Sequence, residues 1–267
     1  MTAAATTSSN SAPVVVVTRP ANQADPLLAR LSALSYRGLH LPMLRIEPLA
    51  DAAALAAVKS RINALSDVDF VIFISSNAVH FCRRLCDELG LKFATRALPI
   101  VLGEATAKAL RDWLQPEAML QPPIDAQTSE GVLAMPALRQ LLGRRVMIVR
   151  GVGGREVLAQ QFRARGAEVE YCEVYARTQP SYTRDQLIAS LEGMDVQAVL
   201  FSSSEAMKNF ADTVVPAIGM QRFSNTFIVV SSSRLANAAK QCGFDRVRQS
   251  ANAGVDATCE VLRACLG

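Results

Sequence analysis

Six short stretches of this chain are apolar at every position: "PVVVV" (13–17), "FVIFI" (70–74), "LPIVL" (98–102), "RVMIV" after its first residue (145–149), "AVLF" (198–201) and "FIVV" (227–230). A strand with one wet face alternates polar with apolar residues. A run without a polar side is buried on both faces, the pattern of a parallel sheet covered by helices. Each run stops at polar or glycine residues and leads into helical spacing, as with Ala105, Ala109, Leu110 and Trp113. The fold class read from this pattern is α/β.

The pattern occurs twice. A shift of 128 positions lays "DFVIFISSNAVHF" (69–81) on "QAVLFSSSEAMKN" (197–209), matching Val71 with Val199, Phe73 with Phe201, Ser75 with Ser203 and Ala78 with Ala206. The same shift pairs Gly38 with Gly166, Ile100 and Val101 with Ile228 and Val229, and Gly103 with Ser231. "VVVVTRP" (14–20) falls on "RVMIVRG" (145–151) after a small adjustment. Such self-similarity predicts a tandem duplication and two similar α/β domains. The stretches "LHLPMLRIEP" (39–48) and "AEVEYCEVYARTQP" (167–180) show alternating polarity and end at proline, so they are expected to be a pair of exposed strands forming the hinge between domains.

At 267 residues and 50% hydrophobic, the chain has material for one large or two ordinary cores. Its net charge is +4, but the cations are scattered and aromatics make up 6%, unlike a nucleic-acid groove with its clustered cations and stacking rings. A small polyanionic ligand suits the balance better. The first 12 residues are expected to be a disordered tail, with neither a secretory signal nor a membrane span. Six cysteines without a CxxC pair (Cys82, Cys86, Cys172, Cys242, Cys259 and Cys265) read as reduced core thiols of a cytoplasmic protein. Two histidines, His40 and His80, in unlike contexts argue against a metal site and a Ser-His-Asp triad. His80 reads as an ordinary helix side chain.

The turns after the apolar runs are more specific. "TRP" (18–20), "SSN" (75–77), "GEAT" (103–106), "RGVGGR" (150–155), "SSSE" (202–205) and "SSSR" (231–234) all sit where a parallel strand hands over to a helix. Ligands of parallel α/β sheets bind beyond the carboxyl ends of the strands, where helix starts present unpaired N–H groups at the positive end of the dipole. Ser76, Asn77 and Ser203 would also serve as plain helix caps worth about 1 kcal/mol each. Six donor-rich turns nevertheless suggest one large anionic ligand. Glu156 stands where a GxGxxG fingerprint needs its third glycine, and no Walker lysine is present, which disfavours a nucleotide. Arg150 and Arg155 can offer charge-assisted bonds to carboxylates.

Taken in order, "VVVVTRP", "FVIFISSNAV", "VLGEATAKAL", "TSEGVL" (128–133), "MIVRGVGGREVL", "RGAEVEYCEVYAR", "AVLFSSSEAM" and "VVSSSRLANAA" resemble the uroporphyrinogen-III synthase family over nearly the whole chain after residue 13. The resemblance implies a bilobed protein of two parallel-sheet α/β domains joined by a two-stranded connector. Residues 13–39 and 178–267 would form one domain, 50–168 the other, and 40–49 with 169–177 the connector strands. It implies conversion of hydroxymethylbilane, with loss of water and inversion of the terminal pyrrole ring, into uroporphyrinogen III, without a cofactor. The substrate would be a tetrapyrrole carrying eight carboxylates.

By the same resemblance, Tyr175 in "VY" is the candidate to assist departure of the hydroxyl, and Thr106 is a second candidate for catalysis. Arg19, Ser75, Ser76, Asn77, Gly103, Arg150, Gly151, Gly154, Arg155, Ser202, Ser203, Ser231, Ser232 and Ser233 are the candidate substrate contacts. Ile74 stands where many members have threonine, and Ser231 where many have glycine, so the serines are expected as ligand contacts only. A cytoplasmic monomer is expected, touching the upstream bilane-forming enzyme transiently and neither nucleic acid nor membrane. The rival readings are a two-domain solute-binding protein, which would normally be exported, and a nicotinamide-dependent oxidoreductase.

Overall fold

In the computed structural model, residues 12–267 are described; the tail expected over 1–12 lies, Ala12 apart, outside the described residues. The strands in chain order are β1 (Val14–Val17), β2 (Arg37–His40), β3 (Arg45–Pro48), β4 (Phe70–Phe73), β5 (Leu98–Val101), β6 (Arg145–Gly151), β7 (Glu168–Thr178), β8 (Val196–Phe201), β9 (Phe227–Val230) and β10 (Val247–Gln249). The helices are α1 (Ala21–Ala33), α2 (Ala52–Asn63), α3 (Ser76–Leu89), α4 (Glu104–Leu114), α5 (Ser129–Ala134), α6 (Val157–Ala164), α7 (Arg184–Leu191), α8 (Ser204–Ile218), α9 (Ser233–Gln241) and α10 (Val255–Leu266). All six apolar runs are strands, and the α/β class holds.

The strands form two five-stranded sheets, ordered β10-β9-β8-β1-β2 and β3-β7-β6-β4-β5. The chain falls into two compact units, one reaching Arg45 and resuming at Thr178–Gly267, the other Ile46–Arg177. The segment 39–48 is not one strand: β2 belongs to the first sheet, β3 to the second, and Leu41, Met43 and Leu44 between them are buried. β7, at the other corresponding stretch, is half-buried, with Cys172, Val174 and Tyr175 inside.

Each unit packs a core on both faces of its sheet, which is why the strands carry no polar side. In the second unit Phe73, Val101 and Val149 pack with α2, α3 and α4, while Ile72, Ile100 and Ile148 pack with α5 and α6. In the first, Val16, Phe201 and Val230 pack with α7, α8 and α9, and Val17, Leu200 and Val229 with α1 and α10. The two arrangements are the same.

Strand register corrects the equivalences read from a single shift. Phe73 stands beside Val101, and its counterpart Phe201 beside Val230, so Val101 corresponds to Val230 and not to Val229. A one-residue slip exchanges the two faces of a strand, and the cores agree: Ile100 and Val229 both lie on the face away from Phe73 and Phe201. The helix starts obey the same register, Gly103 preceding α4 and Ser232, not Ser231, capping α9. Likewise Val15 corresponds to Val146 and Arg19 to Arg150. That register pairs Gly166 with Ser35 and not with Gly38. Ser35 and Gly166 both adopt left-handed turns, at φ 60° and 88°, whereas Gly38 lies within β2.

All six cysteines are free, four of them buried and Cys242 and Cys265 half-buried. Burial pushes the Cys172 thiol up to about 12. His80 is an exposed residue of α3. Among the described residues no helix is long and apolar enough to cross a membrane.

Candidate functional site

Four parallel strands of the second unit end together, and their ends surround a cavity of about 220 Å³. Its walls are Ile74 after β4, Leu102 after β5, Ile148 on β6, and Leu158 and Ala159 on α6. Onto this apolar lining open Arg150, Gly151, Gly154 and Arg155 from the β6–α6 turn, Tyr171, Tyr175 and Arg177 from β7, and Ser129 at the start of α5. Five residues singled out from the sequence meet there: Arg150, Gly151, Gly154, Arg155 and Tyr175.

Arg150 is the centre of the arrangement. Only 3% exposed, it donates from Nε to the Gly151 carbonyl (3.2 Å) and from Nη1 to the Arg155 carbonyl (3.4 Å) and Glu156 Oε1 (3.1 Å). Its guanidinium lies 4.6 Å from the centre of the Tyr171 ring, a cation–π contact. The Tyr171 hydroxyl donates to Glu156 Oε2. This hydrogen bond, together with the one from Arg150, holds the Glu156 carboxyl below the usual range, while burial and then Glu156 push the Tyr171 phenol up.

Glycine is required twice in the turn. A Cβ on Gly151 would come within 2.4 Å of the Tyr175 ring, so the ring occupies the space a side chain would need. Gly154 has φ 100°, and a Cβ there would lie 2.7 Å from Arg177 Nη2 and 2.9 Å from Arg150 Nη2. Tyr175 itself is buried against Phe81, with ring centres 5.4 Å apart. A β-bulge puts it there. Arg150 pairs with Glu173 but Gly151 with Tyr175, so Tyr175 leaves the face it would share with Tyr171 and joins the opposite core.

The other candidates of this unit sit on neighbouring helix starts at the same edge but do not line the cavity. Ser75 caps α3, accepting from Ala78 N (3.2 Å), with Ser76 and Asn77 in the first turn. Gly103 precedes α4, and Thr106 is buried in that helix's first turn, its N–H on the Gly103 carbonyl (3.0 Å).

The first unit holds the remaining candidates. Ser203 caps α8 through Ala206 N (3.1 Å), and Ser232 caps α9 through Leu235 N (3.4 Å). Ser202 and Ser231 are half-buried just before them, and Ser233 donates to Gln249 Oε1 (3.1 Å). Arg19 donates to the Ala253 carbonyl (2.6 Å), and burial lowers its pKa. The space beside it is only about 10 Å³.

Sequence reasoning missed Glu156, Tyr171 and Arg177. Glu156 registered only as a break in a glycine pattern, although a carboxylate six residues after an arginine at a strand end was a usable signal.

The family model described as uroporphyrinogen-III synthase HemD matches residues 25–260. The chain belongs to the uroporphyrinogen-III synthase family. The uroporphyrinogen-III synthase of Escherichia coli K12 is 28% identical over 249 residues, covering 93% of this chain and 99% of that one. The Salmonella typhimurium LT2 protein of the same name is 27% identical over the same shares. Among solved structures, a mutant uroporphyrinogen III synthase from the thermophile Thermus thermophilus superposes with a TM-score of 0.64 at 15% identity, covering 96% of this chain and 99% of that one. The uroporphyrinogen-III synthetase of Helicobacter pylori 26695 gives 0.56 at 15%, covering 94% and 99%. At that identity the structural likeness to other synthases speaks for the fold.

Proposed function

We propose that this protein cyclises hydroxymethylbilane to uroporphyrinogen III, releasing the terminal hydroxyl as water and inverting the last pyrrole ring through a spiro intermediate before closure. The observation that carries this reading is the family match over residues 25–260. Because the linear tetrapyrrole closes without inversion when left alone, the protein's main task is to fix its conformation, and positioning of that kind is worth several kcal/mol of barrier, about 7–11 in favourable cases.

The cavity of the second unit supports such a role. Arg150 and Arg155 would take carboxylate arms, with Gly151 and Gly154 letting the ligand approach the backbone. The helix starts at Ser75, Ser76, Asn77 and Gly103 would supply further donors, and Ser202, Ser203, Ser231, Ser232, Ser233 and Arg19 are the proposed substrate contacts of the first unit. Tyr175 is assigned to protonating or hydrogen-bonding the departing hydroxyl; Thr106, buried in the first turn of α4, is the second candidate, for binding the substrate or assisting its reaction. The reaction as read needs no cofactor and no second polypeptide. A passing contact with the bilane-forming enzyme would shorten the life of a substrate that cyclises by itself.

The test is to supply freshly generated hydroxymethylbilane and separate the oxidised porphyrin isomers chromatographically. The type III isomer is expected. Type I product at the uncatalysed rate contradicts the reading.

A further inference from the structure

We propose that Glu156 and Tyr171 are positioning residues that hold the Arg150 guanidinium with its Nη2 edge open to the cavity, as the seat for one carboxylate of the substrate. This rests on the reading above that the cavity receives a polycarboxylate.

A buried guanidinium on a long side chain needs both a counter-charge and a fixed plane to act as an oriented donor. Glu156 supplies the charge at Nη1 (3.1 Å), the Gly151 carbonyl takes Nε, and the Tyr171 ring lies 4.6 Å from the guanidinium carbon. Glu156 could in principle swing round and occupy Nη2 itself. It is prevented because its second oxygen accepts the Tyr171 hydroxyl.

What remains is Nη2: the bonds of Arg150 named above leave from Nε and Nη1, and Nη2 lies on the Gly154 side, where the cavity opens. The space in front of it is kept by Gly154, where a Cβ would stand 2.9 Å from that nitrogen. Ile74, Leu102, Ile148 and Leu158 make the surroundings apolar, which strengthens a charge-assisted bond formed there. A donor with a held plane, a neutralised rear edge and a front that opens on the cavity beside the Arg177 guanidinium is the arrangement expected of a carboxylate seat.

The experiment is calorimetric titration of the full-length protein with uroporphyrinogen III, kept reduced under argon. Glu156→Ala should weaken binding about tenfold, with stoichiometry unchanged. Glu156→Gln, whose amide oxygen still accepts from Nη1 but which loses the counter-charge, should weaken binding about threefold, less than Glu156→Ala. Tyr171→Phe keeps the ring and loses the hydroxyl, so it should fall between the two. A merely structural role would lower the bound stoichiometry and leave affinity alone. Unchanged or tighter binding by Glu156→Ala overturns the proposal, since tighter binding would mean that Glu156 competes with the ligand. If Glu156→Ala does not fold, Tyr171→Phe decides, and parent-like affinity there overturns the proposal equally. The isomer assay judges the reaction separately: a parent protein that binds the product in this graded way but makes no type III isomer loses the functional reading and keeps this one.

Discussion

Arg19 and Arg150 occupy equivalent places at the carboxyl ends of the interior strands β1 and β6, yet their surroundings have diverged. Beside Arg150 there is a cavity of about 220 Å³; beside Arg19 about 10 Å³. The residue after Arg150 is Gly151, with a tyrosine ring packed on it; the residue after Arg19 is Pro20. Tyr171, next to Arg150, has as its counterpart His40, whose Nε2 lies 3.0 Å from the Arg19 carbonyl. β2 ends at His40, whereas β7 runs on to Thr178 and carries Tyr175 and Arg177 on the added length. A duplicated sheet edge provides two donor-rich poles. A longer, bulged strand beside the arginine, β7, turns one of them into a chamber.

The strongest way to break this comparison is to fill the chamber. Gly151→Val places side-chain atoms where the Tyr175 ring now sits, 2.4 Å from the built Cβ, and should lower turnover by about 100-fold in a folded protein, the scale of an ångström-sized misplacement. Pro20→Ala, the equivalent position, should change turnover by no more than about threefold; equal losses would erase the distinction. Next in size, Tyr175→Phe should reduce turnover about tenfold while product affinity stays nearly intact, the signature of an interaction made in the transition state. Unchanged turnover would return Tyr175 to packing alone.

Smaller effects should be shared by the two units. Ser75→Ala and Ser203→Ala each remove a helix cap and should each cost about 1 kcal/mol, read as a lower thermal midpoint. Unequal costs would mean that the helix starts have diverged as well. A last pair differs only in acid. Asp69 Oδ2 accepts from Arg145 N (2.8 Å), and at the equivalent place Gln197 Oε1 accepts from Val14 N (2.5 Å). The bonds from the Arg145 backbone and then from the Arg144 side chain hold the Asp69 carboxyl below its ordinary value of 3.8. A depressed folded-state pKa stabilises above the unfolded value, and that contribution is lost as pH falls through and below 3.8. Asp69→Asn should therefore cost about 1 kcal/mol near pH 7 and progressively less as the pH is lowered below 3.8, measured by urea unfolding across that range. A pH-independent cost would contradict the assignment.

Much of this was legible in the sequence because burial on both faces and duplication leave strong marks. The six apolar runs became strands, and the donor-rich turns fell at their carboxyl ends. Register within the repeat was less legible: a shift that matches Phe73 with Phe201 is one residue off at Val101, because a loop differing by one residue leaves the composition of a short Val-Ile run unchanged. The bulge at Glu173–Tyr175 has no residue signature, so alternation wrongly places Tyr171 and Tyr175 on one face. Glu156 and Tyr171 become a unit only when Arg150 is seen between them, since their fifteen-residue separation has no helical or strand period.

The divergence of the two poles is tested most directly by one paired titration. Arg150→Lys and Arg19→Lys keep the charge and remove the planar fork, so each reports whether its arginine is used as an oriented donor. With uroporphyrinogen III as ligand, Arg150→Lys should weaken binding about tenfold, because an ammonium cannot face both Glu156 and the chamber. Arg19→Lys should weaken it by no more than about twofold, since that guanidinium already donates to the Ala253 carbonyl. Equal losses at the two positions, or a larger loss at Arg19, would contradict the account.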